Sequence, residues 1–137
     1  MSANPTLISN VRDFVAKIVN ADGTGKKTIV VPVGAGTRLK NLIICSDDTS
    51  QRTLQLVKTV AAVDYILGEV DIPVGAGTDG ATAAVDFFAG SRLKGLQTDG
   101  IAKWIDCASG TTLSLQAKVA VTAAKTIYIA GEGGDFT

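Results

Sequence analysis

Three short stretches of this chain carry residue types at spacings that a known chemistry requires. Gly75-Ala76-Gly77-Thr78-Asp79-Gly80 fits GxGxxG, follows an apolar run and precedes an alanine-rich stretch, with Asp99 near the distance of a ribose contact. The earlier stretch Gly34-Ala35-Gly36-Thr37-Arg38-Leu39 opens identically but has leucine in place of the third glycine. The match sits mid-chain with no second strand–helix–strand unit beside it, so the shared feature is a turn rather than a dinucleotide cradle. Gly23-Thr24-Gly25-Lys26-Lys27-Thr28 resembles the end of a phosphate-binding loop, yet Asn20 stands where that loop needs glycine and Lys27 where it needs a hydroxyl. It reads as a glycine turn flanked by solvated lysines. Asp47 and Asp48 are adjacent without calcium-loop spacing and read as turn-formers, and Asp64, Glu69, Asp71 and Asp86 have no spacing that pairs them.

The chain has no histidine. That removes the usual general base near neutral pH, the commonest transition-metal ligand and the hydroxyl–imidazole pair of a conventional triad. Cys45 and Cys107 form no CxxC; they could pair in an oxidising compartment, but read first as small buried thiols of a protein made in the cytosol. The expectation is a protein that is not an enzyme and needs no cofactor and no metal.

Composition narrows the partners. Hydrophobic residues are 46% of 137, enough for one domain with a real core, while aromatics are only 5%. Thirteen basic and thirteen acidic side chains give zero formal charge, which argues against nucleic acid as a partner. Residues 1–5 have no basic or long apolar segment of a signal peptide, and no run approaches the roughly 20 apolar residues of a membrane span. A soluble protein with no membrane partner, not secreted by the usual route, is expected.

The elements that would position these residues read as strands. Pro-Val-Gly-Ala-Gly-Thr occurs at residues 32–37 and again at 73–78, each time after an apolar run. Proline cannot donate to a ladder and glycine tolerates positive φ, so each copy reads as a strand leaving a sheet into a tight turn. Residues 11–19 fit either period; β-branched Val15, Ile18 and Val19 and the turn Asn20-Ala21-Asp22-Gly23 favour a strand with Phe14, Ala16 and Ile18 on one face. Further strands are expected at 27–33, at 38–45 (Leu39, Ile43 and Cys45 on one face, Leu42 and Ile44 on the other), and at 53–60 and 65–74. Others follow at 101–107, at 112–121 with Leu113, Leu115, Ala117, Val119 and Val121 inward, and at 125–130. The alanine-rich residues 81–89 suggest a short helix burying Val85, Phe88 and Ala89, Trp104 suggests a core anchor, and residues 131–137 read as a glycine-rich tail. The fold class that follows is all-β: an antiparallel β-sandwich or jelly-roll-like barrel of about eight short strands with one short helical excursion. Residues 1–10 are expected to be an N-terminal arm and 11–137 a single domain.

One set of residues carries a resemblance. It comprises Ile18-Val-Asn-Ala-Asp-Gly, Val-Gly-Ala-Gly before Arg38-Leu-Lys-Asn-Leu, Ser46-Asp-Asp-Thr-Ser and Arg52-Thr-Leu-Gln-Leu. Val63-Asp-Tyr-Ile-Leu-Gly and Ile72-Pro-Val-Gly-Ala-Gly-Thr-Asp-Gly follow, with Ala84-Val-Asp-Phe-Phe, Val121-Thr-Ala-Ala-Lys-Thr and Gly134-Asp-Phe after them. In this order, from about Asp13 to Phe136, the chain resembles small virion structural proteins of tailed bacteriophages, encoded near the major capsid protein. The resemblance implies a decoration (cement) protein on the outside of the shell, with the major capsid protein and itself as partners, often as a trimer. It places the protein on the capsid surface, and in the host cytoplasm during assembly. Candidate contact residues are Asn4, Pro5, Thr6, Leu7 and Ile8 of the arm, which could add a strand to a neighbour, and Val33 and Val74 in the two turns. A neck or tail component and a receptor- or glycan-binding module, the latter with Trp104 or a tyrosine exposed, are the other readings.

Overall fold

Alternating apolar residues make each strand one-sided, and two such surfaces must bury each other. The computed structural model describes residues 8–136, in which this happens between two antiparallel sheets. The first has the order β1 (Ile8–Val19), β10 (Thr126–Phe136), β3 (Thr37–Ser46), β8 (Lys103–Cys107), β7 (Gln97–Thr98), with β6 (Val85–Asp86) also against β3. The second has the order β2 (Lys27–Val30), β9 (Thr111–Ala117), β4 (Arg52–Val60), β5 (Val63–Ile72). Phe14, Ile18, Leu42, Ile44, Ile127 and Ile129 from one inner face and Leu54, Leu56, Ile72, Leu113 and Leu115 from the other form a single core. Each such side chain contributes about 1.5–3 kcal/mol by burial. The all-β sandwich expected from the strand pattern is the fold observed.

Several details differ from the sequence reading. The glycine-rich segment after residue 130 is not a tail but the second half of β10, threaded between β1 and β3. Side chains there would collide: a Cβ on Gly131 would stand 2.5 Å from the Asn41 carbonyl oxygen, and one on Gly134 2.5 Å from that of Asn10. Glycine is what lets the three backbones close up.

In β3, Glu132 pairs with Asn41 but Gly133 with Leu39, leaving Lys40 as an extra residue. This bulge switches the alternation, so Leu39 points inward with Leu42 and Ile44 rather than outward with Ile43 and Cys45. No helix forms over residues 81–89. Instead β6 leads into a single 3-10 turn, Phe87–Ala89, which buries both Phe87 and Phe88. Burial of two phenylalanines outweighs an alanine preference of a few tenths of a kcal/mol per residue. Val119 lies beyond the end of β9 and is exposed, whereas Val121 is buried as expected. At the start of the chain, β1 already begins at Ile8, so residues 8–10 belong to the sheet rather than to an arm.

Candidate interaction surface

The motifs that suggested cofactor chemistry are occupied by the chain's own side chains. In the 75–80 loop, Asp79 Oδ1 accepts the N–H groups of Ala81 (2.8 Å) and Thr82 (2.6 Å), and Oδ2 accepts the Thr82 hydroxyl (2.9 Å). Those amides are the donors a phosphate would need, and the bonds hold the Asp79 carboxyl below its ordinary value. The lysines of the 23–28 turn are paired rather than free, Lys26 with Asp64 at 2.7 Å and Lys27 with Asp22 at 3.2 Å. Cys45 pairs across to Tyr128 and Cys107 to Thr37, at opposite ends of β3, and both thiols are free. Burial pushes the Cys107 thiol up to about 12, which leaves it protonated and inert.

Asp48 does more than form a turn. Its side chain is fully buried and accepts from Arg52 (2.8 Å), the Thr122 hydroxyl (2.7 Å), the Thr122 N–H (3.0 Å) and the Ser50 N–H (3.0 Å). Burial alone would raise this carboxyl, but the Arg52 and Thr122 bonds outweigh it and hold it well below the carboxylate range. Asp135 is built alike at the other end of the sheet, accepting from Thr37 (2.6 Å), Arg12 (2.9 Å) and Asn10 (3.2 Å). Both carboxylates tie loops or strands together inside the fold.

Among the described residues, the expected contacts Ile8 and Val33 lie toward one end of β3 and Val74 toward the other. Asn4, Pro5, Thr6 and Leu7 lie outside the described residues. Ile8 pairs with Phe136 and is half-buried against β10. Val33 sits in the turn closed by the Gly36 N–H donating to the Val33 carbonyl, just before Thr37 opens β3. Val74 sits in the turn whose Ala76 carbonyl accepts the N–H of Ser46, the last residue of β3. The two valines, 53% and 48% exposed, therefore occupy turns at opposite ends of a ten-residue strand, which spans about 30 Å. Ile101, 97% exposed, tips a third turn, which Asp99 Oδ1 stiffens by accepting the Ile101 and Ala102 N–H groups.

Between these tips lies the outer face of the first sheet. Register places its outward residues in rows: Asp13–Glu132–Asn41, Val15–Ala130–Ile43 and Lys17–Tyr128–Cys45. The middle row is apolar and open to solvent. Farther along, Arg38 lies between two rings, 4.8 Å from the centre of Trp104 and 5.3 Å from that of Phe136, and makes a two-point ion pair with Asp106 (2.7 and 3.1 Å). Trp104 is thus not a core anchor. It faces outward, half-buried, with its indole N–H donating to Gln97 at 3.1 Å. The sequence held a signal for this: Ile105 and Cys107 alternate against Trp104 and Asp106, and an aspartate marks the wet face.

Comparison of the chain with protein-family models, curated proteins and solved structures finds no match. The site is therefore defined by its geometry: an open strand face with an apolar row, a cation close to two aromatic rings, and apolar turn tips at both ends. Among the described residues no three His, Cys, Asp or Glu side chains gather as metal ligands.

Proposed function

We propose that the protein is a non-enzymatic structural component of a tailed-bacteriophage virion, a decoration (cement) protein that binds the outside of the major capsid shell and stabilises it. The observation that carries this reading is the separation of Val33 from Val74 by the length of β3. One recess in one partner cannot take both tips, whereas two neighbouring capsid subunits can. A small rigid sandwich contacting both sides of a seam adds many modest contacts over the shell, and their sum resists opening.

The test is imaging of particles made with and without the gene, followed by a heat challenge of both. Density missing at regular shell positions together with earlier heat opening of the deleted particle supports decoration. Loss at one vertex or in the tail replaces it with the neck or tail reading, and identical particles overturn the virion reading. The outward Trp104 favours a second reading, a receptor- or glycan-binding module. Quenching of Trp104 emission by a soluble glycan would support that one.

A further inference from the structure

β1 is an edge strand: among the described residues its sole ladder partner is β10. Long edges are commonly guarded by proline, bulges or short length, because unpaired N–H and C=O groups recruit other strands. From Val11 to Val19 this edge has none of those guards; its one register shift lies earlier, between Ile8 and Asn10. The N–H of Val19 donates to Asp22 Oδ2 at 2.8 Å, so it points away from β10. By the alternation of an antiparallel ladder, Lys17, Val15 and Asp13 then present their backbone groups to the open edge as well. The side chains of these same residues stand on the outer face, and Val11 and Val15 are 78% and 72% exposed.

Read outward along the edge, the pattern is Val11, Asp13, Val15, Lys17, Val19. It is complementary to its own reverse about Val15. We propose that β1 pairs antiparallel with β1 of a second copy across a two-fold axis at Val15, making one continuous sheet across a dimer. In this register Val15 faces Val15, Asp13 faces Lys17 on both sides of the axis, and Val11 faces Val19. On the inner face Phe14 meets Ala16, a large side chain against a small one. Moving the two-fold axis by two residues either way removes the Asp13–Lys17 pairing: an axis at Asp13 sets Asp13 against Asp13, and one at Lys17 sets Lys17 against Lys17. Lys17, otherwise a guard of the edge, leans over the Tyr128 ring of β10 at 5.6 Å, away from the open edge, and swings back across β1 to meet Asp13 of the second copy. The apolar row then runs unbroken as Ile43–Ala130–Val15 and its symmetry mate. An isologous contact of this kind closes at two copies, which departs from the trimer that the family resemblance implies. The inference rests on the fold alone and stands or falls separately from the virion reading.

The experiment is the mass and dissociation constant of the full chain in solution from about 1 to 200 µM, for wild type, Asp13→Lys, Lys17→Asp and the double exchange, with circular dichroism to verify folding. The wild type is expected at twice 14.0 kDa. Each single reversal sets like charges opposite each other twice and should weaken the dimer at least tenfold, and the double exchange should restore it to within about threefold. A wild-type monomer throughout, a trimer, a dimer indifferent to the single reversals, or a double exchange that fails to rescue each overturns the proposal.

Discussion

The guanidinium of Arg38 lies 4.8 Å from the ring centre of Trp104 on the outer face of the first sheet, and Asp106 fixes its direction from the neighbouring strand position. Register forces this: Arg38 pairs directly with Asp106 in β8, two residues beyond Trp104 on the same face. Trp104 is the chain's single tryptophan, so its emission reports this cluster alone. A native spectrum of a partly solvated indole, accessible to acrylamide, is expected. Arg38→Ala should raise quencher access about twofold and cost about 1 kcal/mol in urea unfolding. A blue-shifted, quencher-protected native spectrum would contradict the placement.

The acid limb of stability should be set by Asp48 and Asp135. Both carboxyls are held below their ordinary values in the fold. Each therefore contributes stability that is fully present above the unfolded value of about 3.9 and is lost as pH falls through the folded value. Urea midpoints should be level from pH 7 to 5 and fall below about pH 4. Asp48→Asn strands Arg52 beside a buried neutral group and should cost roughly 3 kcal/mol at pH 7, with the gap to wild type narrowing in acid. A gap that stays constant down to pH 2 would remove the charge from the explanation.

Gly133→Ala should be among the most damaging small substitutions in the chain. The added methyl would overlap the Arg38 carbonyl, with the Leu39 Cα also inside 3.4 Å, and neither backbone can move without opening the sheet. A loss of about 3 kcal/mol or more, or failure to fold, is expected. Gly110, with open space around its Cβ position and a φ of +84°, is the control: alanine there should cost only about 1 kcal/mol of backbone strain. Equal thermal shifts for the two would argue against close strand contact.

Strain also sits at the β4–β5 hairpin. Val60 pairs with Val63, and the two residues between them, Ala61 and Ala62, hold φ of 51° and 65°. Two-residue hairpins with both φ positive prefer Asn-Gly. Replacing Ala61→Asn and Ala62→Gly together should stabilise by about 1 kcal/mol and raise Tm by roughly 3 °C. A lowered Tm would show that the alanines pack in a way that compensates the strain.

What the sequence disclosed follows from which residues carry a side-chain pattern. Phe14, Ala16 and Ile18, then Leu54 and Leu56, then Leu113, Leu115 and Ala117 alternate without interruption, and each run lies on the inner face. The end of β10 was illegible because Gly131, Gly133 and Gly134 have no side chains to alternate. Their role is visible only once β1 and β3 stand on either side of them. The Lys40 bulge left no local mark, and it changed the face of Leu39. Trp104 was misplaced because a lone tryptophan invites a core role, although Asp106 two residues on argued the opposite. Among the contact residues, exposure of Val33 and Val74 was legible from their turns, but their separation needed the direction of β3.

The position of β10 also sets a timetable. β1 and β3 have no ladder between them; each pairs with β10, which lies more than a hundred residues along the chain from Val11. During synthesis both early strands must wait with a side unfilled until residues 126–136 arrive. Pairings that distant in sequence form slowly. Until then β1 has no ladder partner and β3 has a bare side, the kind of exposed strand edge through which unfinished chains misassemble.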